Sequence, residues 1–245
     1  MRLNPIDQCD PDLESAVLYQ AILKTLEYLD EFGAIGLTKS GAFNRKFIHW
    51  AADNFDWPEY SREEMFRVNK VLNEQDYPPA VDVHDLLKHL RLGRHYKGQF
   101  VLTKAGKKFA GNPDGLFDLV APAYIFECEH FYGWGFDEDR LSQINWDIIL
   151  NIVNVEAENG VTVAALVKTL YGLEPTEDEP YWSDFSKECS NLHYGALKPL
   201  ARIGLLQEIP AERLKIQNTQ YVKTQLWRKF LRLDTDRHIR PRVVH

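Results

Sequence analysis

Cysteine is scarce. Cys9, Cys128 and Cys189 are odd in number, far apart and never in a Cys-x-x-Cys pair, which excludes a disulfide framework, a zinc ribbon and a dithiol redox motif. Long hydrophobic runs are also missing: the longest uncharged apolar stretch, Leu119 to Phe126, is far too short to cross a bilayer. The first residues, MRLNPIDQCDPDLE, hold no basic segment followed by an apolar run, so they read as neither signal nor transit peptide. The expectation is a cytoplasmic protein with no membrane partner.

Catalytic signatures are absent as well. No glycine-rich phosphate loop, nucleophile elbow or His-Glu-x-x-His pair occurs. Glu127-x-x-His130 has the spacing of a carboxylate and metal-ligand pair, but a di-metal site needs a second such motif, and none follows. No metal, cofactor or catalytic residue is expected. An enzyme with groups converging from distant positions is the least favoured class.

What the chain does contain is ample apolar content, 44% of 245 residues, and an uneven charge distribution under a net charge of -7. From residue 213 onward nine Lys or Arg face two Asp, a net of +7, which leaves the first 212 residues at -14. Within that acidic part, residues 86–112 carry seven Lys or Arg and no acid. Two basic regions therefore stand out.

Apolar spacing and capping residues predict the helices. Asp10-Pro11 opens a first one carrying Leu18, Ile22, Leu26 and Leu29 to Gly33. After a short strand at Ile35 to Leu37, Thr38 is expected to cap a second, with Phe43, Phe47, Trp50 and Ala51 on one face. The capping box Ser61-x-x-Glu64 starts a third with Met65, Val68 and Leu72 inward, closed by Pro78-Pro79. Asp82 then caps a helix burying Val83, Leu86, Leu87 and Leu90, with His84, Lys88 and Arg91 on another face and Gly93 as its stop. Arg94 to Tyr96 and Gln99 to Leu102 form a hairpin about Lys97-Gly98, and Thr103 caps the next helix.

This order of helices, short first strand and basic hairpin resembles the winged helix-turn-helix superfamily over residues 12–110. The resemblance implies a recognition helix for the DNA major groove and a two-stranded wing beside it. The word Leu-Thr-Lys-x-Gly, at 37–41 and 102–106, is read as a strand ending in a capping threonine at both places. A longer match points to duplication: Gln99 to Phe109 aligns without a gap with Gln220 to Phe230, both reading Gln, aromatic, Val, x, Thr and later two basic residues and Phe. Upstream, Leu87 to Leu90 is aligned with Leu197 to Leu200, and Gly93 with Gly204.

The expected fold is mainly α with small β wings: two tandem winged helix-turn-helix domains at 1–112 and 140–245, joined by a helical linker at 113–139. In the second, helices are expected at Trp146 to Ala157, after the cap Thr162, and from Ser183 to Ile203, with strands at Leu205 to Ile209 and at Gln220. The expected partner is double-stranded DNA. Its candidate contacts are His84, Lys88, Arg91, Arg94, His95, Lys97, Lys104, Lys107 and Lys108 in the first module, and Arg202, Arg213, Lys215, Lys223, Arg228 and Lys229 in the second. The alternative is a winged-helix scaffold for protein contacts, including a homodimer, to which the acidic majority of the chain is suited.

Overall fold

Strand β1 (Arg2–Leu3) and a 3-10 turn at Pro11–Ser15, capped by Asp10, precede α1 (Val17–Phe32), which buries Leu18, Ile22, Leu26 and Leu29 on one stripe and stops at Gly33. β2 (Ile35–Gly36) and α2 (Arg45–Asn54) follow. Thr38 does not cap α2. Its hydroxyl accepts from the Ala42 amide in a loop, and the cap falls to Asn44, which accepts from the Phe47 amide. Ser61 caps α3 (Arg62–Val68) as expected, but this short helix buries none of its residues, and Val68 is exposed.

Pro78-Pro79 opens rather than closes a helix. The two prolines occupy the first positions of α4 (Pro78–His89), where a missing N–H costs nothing, and Asp82 is therefore a buried mid-helix residue and no cap. β3 (Gly93–Tyr96) and β4 (Gln99–Leu102) pair antiparallel as predicted, joined by Lys97 and Gly98 at φ 48° and 74°. The sheet order is β2-β4-β3. Thr103 caps α5 (Lys104–Gly111), and α6 (Leu116–Glu127) follows. Because α6 ends at Glu127, Glu127-x-x-His130 does not lie within a helix.

The later part runs α7 (Trp146–Glu156), β5 (Val161–Thr162), α8 (Val163–Tyr171), α9 (Asp184–Leu192), a π-helical turn (His193–Leu197), α10 (Lys198–Arg202), β6 (Leu206–Ile209), β7 (Gln220–Lys223), α11 (Gln225–Phe230) and β8 (Leu231–Arg232). Thr162 caps α8 as expected, and Ser183 and Thr224 cap α9 and α11. Its sheet, β5-β7-β6, repeats the order of the first. The computed structural model describes residues 1–128, 130, 145–176, 180, 183–211 and 215–239; among these the fold is mainly helical with small sheets. It divides into two units, Ile6–Tyr124 and Ile125–His245, the latter joined by Met1–Pro5 because β1 pairs with β8.

Hydrogen bonds correct the internal alignment. Leu92 N–H donates to the Leu87 carbonyl, and Leu205 N–H to that of Leu200, so Leu87 corresponds to Leu200 and not to Leu197. Arg91, at φ 55°, then takes the place of Gly204, at φ 83°. Thr103 and Thr224 match in detail: each hydroxyl donates to that residue's carbonyl (Arg91 2.7 Å, Gly204 2.7 Å) while accepting from the third residue of its helix. The gapless match from Gln99 and Gln220 onward thus keeps its register, and the earlier one shifts by three residues.

In the second sheet Tyr221 packs its hydroxyl 3.0 Å from Nδ1 of His193, which is 3% exposed. Burial, with Lys198 and Arg202 adding repulsion, pushes the imidazole down to about 3 from 6.5. The unfolded chain then binds the proton and the folded chain does not, so stability falls as pH drops below 6.5. By pH 5 this group removes about 2 kcal/mol. In urea titrations across pH 5 to 8, His193→Gln is expected to lose that part of the acid slope; an unchanged slope refutes the assignment.

Candidate nucleic-acid interface

α4, the β3–β4 hairpin and α5 carry the predicted basic segment. Lys88, Arg91, Arg94, Lys97, Lys104, Lys107 and Lys108 are all exposed. Only one acid is paired with them among the described contacts: Asp85, 3.4 Å from Lys88 and itself exposed. Strand alternation puts Arg94 and Tyr96 on one side of β3, and Arg94 and Lys97 lie 5.4 and 5.2 Å from the Tyr96 ring. Tyr96, 48% exposed, is thus an aromatic face flanked by two cations at the hairpin tip.

His84 does not share this surface. It is 5% exposed, stacked on Phe43 at 3.9 Å between ring centroids, with Nδ1 2.7 Å from Glu74 Oε1 and Nε2 2.8 Å from His95 Nε2. The expectation failed because α4 starts four residues before Asp82, and the face through position 84 packs on Phe43 and Phe100. His95 is exposed but turns its ring toward His84 and Phe100, away from Arg94 and Tyr96. Partial burial, then His84 and Lys88, holds its pKa below the usual histidine range, so it adds little positive charge to the hairpin.

In the second unit the predicted cations separate. Lys215 and Lys229 are exposed, Arg202 is half-buried, and Arg213 lies outside the described residues. Lys223 is a correction: its side chain is 1% exposed, with Nζ 2.7 Å from Glu158 and 3.0 Å from Asn154 Oδ1. Arg228 is turned to the same carboxylate, at 2.9 and 3.2 Å. Burial raises the Glu158 pKa, but hydrogen bonds from Arg228 and Lys223 outweigh it and hold the group below the usual carboxylate range. Lys223, buried against this half-buried carboxylate, is not offered to phosphate.

Sequence reasoning missed the two carboxylates that capture these cations and imidazoles, Glu74 and Glu158. Asn73 and Asp76 form a capping box that marks the turn holding Glu74, but nothing local says it meets His84. Glu74 also lines a cavity of about 850 Å³ together with Thr38, Ser40, Arg45, Lys46 and Asn73.

Two family models match the chain: the Y4jL N-terminal domain over residues 14–115 and the y4jL C-terminal domain over residues 136–225. A bacterial relative, "Uncharacterized protein y4jL" of Sinorhizobium fredii (strain NBRC 101917 / NGR234), is 41% identical over 171 residues, covering 70% of this chain and 76% of that protein. The chain belongs to the y4jL family. No solved structure matches it. Among the described residues no helix is long and apolar enough to cross a membrane.

Proposed function

We propose that this protein binds double-stranded DNA through its first unit, used as a winged helix, and that the second unit is a divergent copy of the same module. The observation that carries the reading is the acid-free run 86–112, whose seven cations are all exposed on α4, the turn after it, the hairpin and α5. A tight β3–β4 hairpin after a helix, closed by a third strand in the order β2-β4-β3, is the geometry that such a module requires. Phosphates are the expected ligands of Lys104, Lys107 and Lys108, with Lys88, Arg91, Arg94 and Lys97 nearer the grooves. His84 and Lys223 are withdrawn as contacts.

A protein exposing about six such contacts loses affinity with salt at a log–log slope of roughly -5. Fluorescence anisotropy with a labelled 30-base-pair duplex across salt tests this. Arg94→Gln combined with Lys107→Gln is expected to weaken binding at least ~10-fold and to make the slope shallower by about 2. Lys97→Asn removes a charge while suiting the left-handed backbone at φ 48°. Absence of duplex binding at low salt overturns the proposal, and nuclease-resistant capture of a protein through exposed Val68 and Val71 would favour the scaffold reading instead.

A further inference from the structure

His84 and His95 come from different elements, α4 and β3, yet bring their Nε2 atoms to 2.8 Å. On its far side His84 is held by Glu74, 2.7 Å from Nδ1, and both side chains are under 10% exposed. A carboxylate there takes the Nδ1 proton and leaves the Nε2 lone pair of His84 aimed outward at His95. This carboxylate–imidazole arrangement is what fixes the tautomer and raises the donor strength of a metal-binding histidine. Phe43 stacked on the His84 ring prevents it from turning away.

We infer that the His84 and His95 Nε2 atoms form a two-histidine site for a transition-metal divalent cation such as Zn2+ or Ni2+, oriented by Glu74. Two imidazoles on one tetrahedral ion at about 2.0–2.1 Å stand roughly 3.3 Å apart with the ion off the line between them, so His95, exposed on its strand, has to retreat by about half an ångström and turn its ring toward the ion. The proton between the two nitrogens leaves Nε2 of His95, which becomes its neutral Nδ1–H tautomer, and the metal takes its place. Imidazole donors select Zn2+, Ni2+ and Cu2+ over Mg2+ and Ca2+. Among the described residues no three His, Cys, Asp or Glu side chains gather into a metal set, so water or a ligand completes the coordination shell. The ion would clamp the hairpin to α4, and its binding does not depend on whether the hairpin meets DNA.

Titration calorimetry of the full chain with ZnCl2 and NiCl2, paired with thermal melts, tests the site. Wild type is expected to bind one ion at this site and to melt higher with metal present. His95→Gln, at an exposed position, is expected to abolish both effects, and Glu74→Gln to weaken binding ~10–100-fold. His89→Gln and His238→Gln, at other exposed histidines, should change neither. If neither metal binds, or if binding and melting shift survive His95→Gln, the site does not exist.

Discussion

Gly106→Ala is expected to destabilise the first unit by about 3 kcal/mol or more, although Gly106 lies in α5, where alanine ordinarily favours the helix. A Cβ there would stand 2.0 Å from the carbonyl oxygen of Leu92 and 3.1 Å from Leu102 Cδ2. The Leu92 oxygen cannot retreat, because it is a backbone atom at the start of β3 that accepts the Thr103 amide at 2.9 Å, while Leu92 N–H donates to Leu87 at the end of α4. Relief would therefore move the junction of α4, β3 and α5 together. Gly111, at the end of the same helix, has nothing within 4 Å, and Gly111→Ala is expected to stabilise by about 0.5–1 kcal/mol. Chemical denaturation of the pair decides the matter; equal and opposite behaviour to this, or two small effects, would mean that α5 does not approach β3 so closely. If the proposed duplex binding holds, loss of the junction takes it away as well, whereas Gly111→Ala leaves it intact.

Much of this geometry is legible in the sequence, and the reasons differ from element to element. Caps such as Ser61, Thr103 and Thr162 act on amides two or three residues away, so their meaning is local and was readable. The Lys97-Gly98 turn is local too. Thr38 shows the limit: it stands in the same word as Thr103, but the Leu37–Phe43 bridge folds its loop back and passes the cap to Asn44. Pro78-Pro79 is ambiguous between ending one helix and beginning another; it begins α4, and the register that follows turns His84 inward. Burial of Lys223 was hidden for a different reason. It sits at a strand position that would alternate outward or inward equally well, and its partner Glu158 is distant in sequence. Long-range charge pairing leaves no periodic trace, which is why the helices and hairpin were readable and Glu74 and Glu158 were not.

Glu158→Ala is expected to cost the second unit about 3–5 kcal/mol, because it strands a buried ammonium. Lys223 Nζ would keep only the Asn154 oxygens, and Asn154 Oδ1 is shared with the Trp227 indole N–H at 3.0 Å. Asn154 also donates to Thr235 and Asp236, so the disturbance reaches the 3-10 turn after β8. Lys223→Met removes the charge together with its need for a partner, leaves Glu158 to Arg228, and should cost clearly less than Glu158→Ala. The pH dependence separates a stranded charge from simple loss of packing. Burial already lowers the Lys223 pKa against the raising effect of Glu158. Without the carboxylate it falls further, so above that value the unfolded chain holds a proton that the folded chain has released, and stability rises with pH until the ordinary lysine value is reached. Denaturation between pH 7 and 10 should therefore narrow the gap between Glu158→Ala and wild type, while the gap for Lys223→Met, which has no amine to titrate, should widen slightly and never narrow. A Glu158→Ala deficit that stays constant over this range would place Lys223 in water, and would return it to the cations available for phosphate.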